Sequence, residues 1–345
     1  MALWLFACCA MIFAMVVIGG ITRLTWSGLS ITEWQPVTGV LPPLSDSAWA
    51  AEFEKYRQIP QYKLLNAGMS LADFKTIYLW EYVHRLWGRL IGFAYLLPFL
   101  YFVIRGRLPR HLRWPLAGIF GLGAAQGVLG WYMVESGLAD RIEVSQYRLT
   151  AHLMLALAIY AATLWVALGL WREPGRAAAA PVWRRTSEGM IALITLTIAA
   201  GGFVAGLNAG LVYNTFPLMD GRLVPAGYSQ LQPLFRNWFE NVAAVQFDHR
   251  LLATATTATV LALWVVGARG TLPQPARLAL HGLLAAVALQ FALGLSTLLL
   301  VVPIPLAAAH QAGAVILLTA AVILRHTLRA PHQMDGRDTA ALYSG

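Results

Sequence analysis

The sequence predicts an all-α membrane protein of eight transmembrane helices, arranged as two pseudo-symmetric four-helix bundles. Three observations support this fold class. Hydrophobic residues make up 58% of the 345 residues and charged residues only 12%, whereas soluble domains carry about 25% charged residues. Apolar runs of about 20 residues, the length that crosses a bilayer, recur along the chain. The two halves also repeat one pattern of glycines, glutamines and histidines.

Eight apolar segments are long enough to span a membrane. They cover residues 3–22, 77–104, 114–134, 148–171, 187–208, 245–267, 277–300 and 305–326. The first segment is interpreted as a membrane helix rather than a signal peptide, because neither a basic leader nor a clear cleavage site accompanies it. Ser70 to Asp73 resembles a capping box, which predicts one helix running unbroken from there into the second span. Cys8 and Cys9 are adjacent and form no metal or disulfide pattern, so we interpret them as packing residues.

The net charge of +9 reflects arginines in short connections between spans. They cluster in 105–113, in 172–186 and from 325 onward, and no basic run is interleaved with exposed aromatics as nucleic-acid binding would require. Because arginine-rich connections face the cytoplasm, both termini are expected there. The long connections 23–76 and 209–244, rich in Trp, Pro and Gly, then lie outside.

The halves align as a parallel repeat of four spans each. We divide the chain into an N-terminal half (1–172), a cytoplasmic linker (173–186) and a C-terminal half (187–345). An even number of spans gives both copies the same orientation, unlike the inverted repeats of many transporters. The matched pairs are Gly19-Gly20 with Gly201-Gly202, Gly28 with Gly210, Gly39 with Gly221, His84-Arg85 with His249-Arg250, Gln126 with Gln290, Gly130 with Gly294 and His152 with His310.

Glycines spaced four residues apart favour close helix packing. Gly123 and Gly127 form such a pair in the third span, and Gly202, Gly206 and Gly210 form a series from the fifth. The alternative is a cofactor that needs a close approach to the backbone.

The eight histidines fall into two groups. Four lie at cytoplasmic ends or in the tail and are interpreted as solvated or interfacial: His111, His281, His326 and His332. The other four occupy the second and fourth spans of each half, early in spans that start on the outer side. They are His84, His152, His249 and His310.

Two imidazoles facing each other across a four-helix bundle suit an iron porphyrin, whose iron takes one axial ligand from each side. The sequence therefore predicts one haem site per half, near the outer side. Zinc fits less well because neither half supplies a third ligand at metal-binding spacing. Arginines can hold the porphyrin propionates in bidentate fashion, unless they only extend to the membrane interface. The candidates are Arg85, Arg89, Arg148 and Arg250.

The halves differ three residues before the first histidine. Glu81 precedes His84, whereas Gln246 precedes His249. A carboxylate one helical turn from a haem ligand could relay a proton or stabilise developing positive charge. We therefore predict chemistry in the N-terminal half and a fixed haem in the C-terminal half. The alternative is that Glu81 only pairs with Arg85 or orients His84. The role of Asp248, which we expect to face Arg250 or the loop, stays open.

These features resemble the haem A synthase family over nearly the whole chain. The most specific motif is GGITRLTWSGLSITEWQPVTGVLPP, from Gly19 to Pro43, which is similar to the mitochondrial and alphaproteobacterial branch. The second motif that supports the resemblance is the E-x-x-H-R stretch from Glu81 to Arg85. Another branch has a cysteine pair in its outer loops; this chain has none there, so a mechanism using those thiols is not available to it.

The resemblance implies oxidation of the C8 methyl of haem O to a formyl group, through two hydroxylations and loss of water, giving haem A for cytochrome oxidase. It implies that His84 and His152 bind the substrate haem, that His249 and His310 bind a haem B cofactor, and that Glu81 is essential. It further implies a multi-pass protein of the bacterial inner membrane, in contact with membrane lipid. Haem O synthase, cytochrome oxidase assembly factors and a second copy of the chain are the partners to consider.

Two other functions fit the same histidines. A bis-histidine cytochrome b that only carries electrons would hold two equivalent haem B groups. A haem transporter would have an open lateral path and no turnover. The parallel repeat and the Glu81/Gln246 difference count modestly against both.

Overall fold

The computed structural model describes residues 1–35, 39–138, 142–171, 181–270 and 272–329. Most of the predicted linker, up to residue 180, lies outside these ranges, as does His332. Two short 3-10 helices are present, at Ala209–Leu211 and Leu234–Arg236. The α-helices are α1 (Ala2–Leu24), α2 (Asp46–Arg57), α3 (Pro60–Leu64), α4 (Leu71–Ile104), α5 (Arg110–Leu138), α6 (Gln146–Trp171), α7 (Pro181–Gly206), α8 (Asn237–Glu240), α9 (Val242–Arg269), α10 (Gln274–Leu299) and α11 (Ile304–Thr327).

The prediction of eight transmembrane helices is confirmed. Within the described ranges, α1, α4, α5, α6, α7, α9, α10 and α11 are long and apolar enough to cross a membrane. As predicted, Ser70 caps α4: its hydroxyl accepts a hydrogen bond from the backbone N–H of Asp73 at 3.1 Å. The 34 residues of α4 span about 50 Å at 1.5 Å per residue. A bilayer core is about 30 Å thick, so the first turns of α4 project beyond it.

The long outer connections carry short helices that the sequence pattern did not predict. The first contains α2 and α3, and Ser45 caps α2 by accepting from the N–H of Ala48 at 3.2 Å. This region packs onto the projecting part of α4 through a separate apolar cluster. Its buried members are Leu29, Tyr56, Ile59, Phe74 and Tyr78. The outer loop is therefore a packed layer over the N-terminal half, with its own small core.

Four helices join the two halves at the centre of the molecule. α1 packs against α4, α6 and α11, while α7 packs against α6, α9 and α11. The main apolar core runs along these helices and includes Cys8 and Cys9, which are buried free thiols as predicted. By contrast, α4 and α5 contact each other sparsely.

The glycine prediction is correct for the fifth span and wrong for the third. A Cβ atom at Gly202 would come 2.8 Å from the Thr150 hydroxyl oxygen, and one at Gly206 would come 2.6 Å from the Cβ of Gln146, so α6 and α7 touch there. A Cβ atom at Gly123 or Gly127 would meet nothing within 4 Å. These two glycines face open space instead of a neighbouring helix.

One peripheral histidine also departs from expectation. His326 is 6% exposed and its ring packs edge-on against Trp165, with centroids 5.3 Å apart. It is thus a core residue, because α11 turns this face towards α6 rather than towards solvent. His111 is exposed, as predicted. His281 accepts a hydrogen bond from the indole N–H of Trp264 at 2.9 Å.

Candidate functional site

A cavity of about 1050 Å³ lies between the helices of both halves. This volume is slightly above the roughly 300–1,000 Å³ usual for ligand pockets. Its lining is mostly apolar, and the four histidines of the second and fourth spans all contribute to it: His84, His152, His249 and His310. The fold thus collects the four candidate ligands around one continuous space.

Each of these histidines packs against a glycine of a neighbouring helix. A Cβ atom added to any of the four glycines would approach the imidazole Cε1 to 3.0 Å or less, which is closer than normal van der Waals contact. Only glycine leaves room for the ring at these places. The pairs are Gly19 with His84, Gly130 with His152, Gly201 with His249 and Gly294 with His310. The same arrangement in both halves agrees with the predicted repeat.

The two histidines of the C-terminal half face each other. The ring centroids of His249 and His310 are 6.5 Å apart. Because a metal–imidazole bond is about 2 Å long, two imidazoles on opposite sides of one metal have centroids roughly 6 to 6.5 Å apart. Nδ1 of His249 is 3.1 Å from the Thr197 carbonyl oxygen, a contact that orients the ring and leaves Nε2 available for a ligand. Two imidazoles, with no third ligand among the described residues, suit a porphyrin iron.

Glu81 is 3% exposed and lines the cavity. Its Oε2 accepts hydrogen bonds from the Ser30 hydroxyl and the Ile31 N–H, both at 2.8 Å. Its Oε1 accepts from Arg85 through Nη2 at 2.6 Å and Nε at 3.1 Å. Four donors therefore fix the carboxylate in place. The pairing with Arg85 that the sequence left open as an alternative is present.

Gln246 occupies the matched position with the opposite polarity. Its Nε2 donates to the carbonyl oxygens of Ala209 at 2.9 Å and Tyr213 at 3.2 Å. Its Oε1 accepts from Nη2 of Arg250 at 3.3 Å. The C-terminal half thus uses an amide donor where the N-terminal half uses a carboxylate acceptor.

Arg85 and Arg250 hold the outer loops over their own halves. Arg85 donates to the carbonyl oxygens of Ile31 at 2.8 Å and Glu33 at 3.0 Å. Arg250 donates to the matched carbonyls, which lie 182 positions later in the chain: Tyr213 at 2.5 Å and Thr215 at 2.7 Å. Both arginines line the cavity. Arg85 divides its hydrogen bonds between these carbonyls and Glu81, whereas Nε of Arg250 is buried without a hydrogen-bond partner.

The other two candidate arginines differ in position. Arg89 lines the cavity, and its Nη2 donates to the Gln35 carbonyl oxygen at 2.8 Å. Arg148 is not part of the lining. Its guanidinium lies 3.6 Å from the ring centroid of Tyr132 and donates to the carbonyl oxygen of the same residue at 2.6 Å. Asp248 faces the loop, where its Oδ1 accepts from the Tyr228 hydroxyl at 2.9 Å.

One polar group of the lining escaped the sequence analysis. Arg23 joins the halves: it donates to the Ala205 carbonyl oxygen and, at 2.7 Å, to Oδ1 of Asn208. Its guanidinium is 3.9 Å from the Glu143 carboxylate, which accepts from the Asn208 amide at 2.6 Å. An arginine at the end of an apolar first span was the available signal.

The loop above the N-terminal half carries its own ion pair. The Lys55 ammonium is 3.0 Å from the Glu33 carboxylate, and its hydrogen bond lowers the pKa of Glu33 below the usual value. The carbonyl of the same residue accepts from Arg85. Nearby, the rings of Trp34 and Trp131 lie 6.5 Å apart and join the loop to the outer end of α5.

Comparison with known proteins places the chain among similar sequences along almost its full length. The COX15-CtaA family model, described as a cytochrome oxidase assembly protein, matches residues 2–322. A haem A synthase of Nitrosospira multiformis is 56% identical over 332 residues, which cover 95% of this chain and 93% of the relative.

Two further relatives carry the same name. The haem A synthase of Nitrosomonas eutropha is 52% identical over 325 residues, covering 93% of this chain and 91% of the relative. That of Rhodospirillum centenum is 54% identical over 335 residues, covering 96% of this chain and 88% of the relative.

Proposed function

Because the chain belongs to the COX15-CtaA family of cytochrome oxidase assembly proteins, we propose that it is an oxidoreductase that converts haem O to haem A. In this proposal the C8 methyl group is oxidised to a formyl group by two successive hydroxylations, followed by loss of water. The net change takes one oxygen atom from water and releases four protons and four electrons, which leave through the haem held by the C-terminal half to a one-electron acceptor outside the protein. The single observation that carries this proposal is the set of four glycine-backed histidines around one cavity. The relatives named haem A synthase support the choice of reaction.

In the proposed arrangement, His249 and His310 would hold a haem B cofactor. Their 6.5 Å ring separation fits two imidazoles on one iron, and Gly201 and Gly294 leave room for the rings. Haem B at this place would supply one-electron redox chemistry. The contact between Nδ1 of His249 and the Thr197 carbonyl fixes one ring orientation.

His84 and His152 hold the substrate haem in this proposal. Gly19 and Gly130 back these rings as the matched glycines do in the other half. Nδ1 of each ring is buried without a hydrogen-bond partner, as is Nδ1 of His310 in the other half. Nε2 of His152 is 3.3 Å from the side-chain nitrogen of Gln126, so a polar side chain already lies beside the nitrogen that would bind the substrate haem.

Glu81 is the proposed catalytic residue. It lies one helical turn before His84, at the cavity wall. Charge-assisted hydrogen bonds such as those it accepts are short and strong, so the carboxylate is a fixed negative charge beside the substrate. It can stabilise positive charge that develops on the ring substituent. To accept a proton at Oε2 it would have to give up Ser30 or Ile31, and at Oε1 it would have to release Arg85.

The protein is a multi-pass membrane protein, and we propose that it resides in the bacterial inner membrane with both termini in the cytoplasm. The arginine-rich ends of the helices support this orientation, which places the haem sites near the periplasmic side. Product haem A would pass to cytochrome oxidase. Haem O synthase and oxidase assembly factors are the proposed partners, and self-association is a further proposal.

The test is extraction of the haems from the purified protein, identified by mass. Haem B together with haem O, its alcohol or haem A is the expected result. Two equivalents of haem B alone, with no conversion of added haem O, would overturn the proposal in favour of an electron carrier. Alanine variants of His249 and His84 should lose the cofactor and the substrate pigment respectively.

A further inference from the structure

We infer that the substrate reaches its site sideways from the lipid, through an opening between α4 and α5 in the N-terminal half. This inference rests on the proposed function for the identity of the substrate. The edges of the opening are formed by Gly92 on α4 and by Gly123 and Gly127 on α5, and we call this region the α4–α5 opening.

The three glycines line the cavity without touching a neighbouring helix. All belong to the cavity wall, yet a Cβ atom at any of them would meet nothing within 4 Å. Gly123 and Gly127 are also exposed. α4 and α5 contact each other sparsely. Between α4 and α5 the cavity is therefore lined by glycine backbone, with no neighbouring side chain against it.

The matched positions of the C-terminal half are filled. Thr257 stands where α4 has Gly92, Val287 where α5 has Gly123, and Phe291 where it has Gly127. Val287 is 3% exposed. The ring of Phe291 packs edge-on against Phe216, with centroids 6.1 Å apart. Side chains of α9 and α10 thus occupy the positions that three glycines leave bare on α4 and α5, and Phe291 is further covered by Phe216 of the second long loop.

Aromatic contacts frame the opening at both ends. On the cytoplasmic side, Tyr95 stacks on Phe120 at 6.2 Å and donates to the Leu116 carbonyl oxygen at 2.9 Å, which ties α4 to α5. On the outer side, Trp34 and Trp131 lie 6.5 Å apart. The gap is therefore a bounded window and not a general separation of the two helices.

The window suits a flat, apolar macrocycle with charged substituents at one edge. Flat glycine surfaces let an aromatic plane pass close to the backbone, and a porphyrin with a hydrocarbon tail partitions into the lipid. Arg89 lies on α4 between the opening and the outer loop, where its guanidinium can bind the propionate carboxylates of an entering porphyrin. The matched position holds Thr254, so this cation is specific to the half whose ligand must exchange.

The experiment measures transfer of haem O from liposomes into the protein, followed by the absorbance change on binding. The test variants are Gly127→Phe and Gly123→Val, which install the residues found at the matched positions of α10. We expect uptake and release of haem O to slow at least about tenfold, equivalent to about 1.4 kcal/mol of added barrier. The amount bound at equilibrium should change little, because Phe291 is compatible with a haem in the other half.

Gly121→Phe is the matched control, since Gly121 is an exposed glycine of α5 outside the cavity lining with nothing within 4 Å of its Cβ position. Haem B content and its spectrum check that each variant is folded. Uptake by both test variants at the wild-type rate, equal slowing in the control, or reduced equilibrium binding without slower uptake would each overturn the inference. If the wild type takes up haem O through the window but never converts it, the proposed reaction fails and the access route stands.

Discussion

The two halves share a scaffold and differ in what they allow their ligands to do. Both place two glycine-backed histidines on the cavity, and both use an arginine to hold two loop carbonyls. The N-terminal half then carries a carboxylate, an extra cation and open glycine edges, where the C-terminal half has Gln246, Thr254 and bulky side chains. In the proposed function, the C-terminal half holds its haem permanently, and the N-terminal half exchanges and transforms one.

The largest effect is expected from Glu81→Gln. Loss of the fixed negative charge should reduce conversion of haem O by about 10²–10⁴-fold, the usual contribution of a positioned acid, base or charge. Substrate binding should persist because both imidazoles remain. Single-turnover conversion of bound haem O checks this, and haem A formation at the wild-type rate would remove Glu81 from the mechanism.

The converse change, Gln246→Glu, should destabilise the C-terminal half without creating activity there. A carboxylate at this position would face the carbonyl oxygens of Ala209 and Tyr213, which now accept from the amide. These carbonyls keep hydrogen bonds from Arg250 and from the N–H of Val212, but the new carboxylate oxygen would be buried without a donor, which costs about 1–3 kcal/mol or more. Thermal unfolding and haem B retention are the measurements. An unchanged midpoint would mean that the polarity difference between the halves has no structural role.

Replacing Arg85 or Arg250 by lysine should have a smaller effect, and the effect should differ between the two halves. Lysine cannot make the forked contacts of a guanidinium. In Arg85→Lys, Glu81 loses part of its hydrogen bonding and the Ile31 carbonyl loses its donor. We therefore expect the free energy of unfolding to fall by about 1–3 kcal/mol and the activity to fall as well. Arg250→Lys should loosen only the second loop. Limited proteolysis of the outer loops and activity assays distinguish the two; equal effects on activity would contradict the asymmetry.

The smallest effect is expected from Phe291→Gly, which gives the C-terminal half the open edge of the other. Haem B should leave several-fold faster, roughly three- to tenfold, measured by transfer to a soluble haem acceptor. Leu289→Gly, at an exposed position of the same helix outside the cavity, controls for the cost of a glycine in a helix. Equal release from both variants would show that Phe291 does not retain the ligand.

The predicted helices agree with the structure where the local sequence pattern alone determines the helix. Eight apolar runs gave eight helices, and the Ser70 cap gave the start of α4. α2 and α3 were missed because they are short and depend on tertiary packing: α2 packs on α4, and α3 packs on α2 and α5. The four histidines were selected from eight by their matched positions, which is information that a repeat contains and a single histidine does not.

The candidate site shows the limit of that reasoning in its arginines and glycines. Spacing placed Arg85 and Arg250 beside the histidines, but only the folded loops show that each arginine donates to two backbone carbonyls of its own loop. Gly123-Gly127 and Gly202-Gly206 have the same spacing and opposite surroundings. A glycine pattern states that a side chain is absent and says nothing about whether a helix or a space takes its place.

By itself, the sequence determined the membrane class, the number of spans, the duplicated histidines and the replacement of Glu81 by Gln246 in the second half, because hydropathy, helical period and internal repetition are properties of the chain alone. The tertiary structure alone decided that the four histidines share one cavity and that Glu81 is held by four donors. It also decided that Gly123 and Gly127 face open space, while the matched Val287 is buried and Phe291 packs on Phe216. Those features depend on contacts between residues far apart in the chain, and such contacts exist only once the helices have packed.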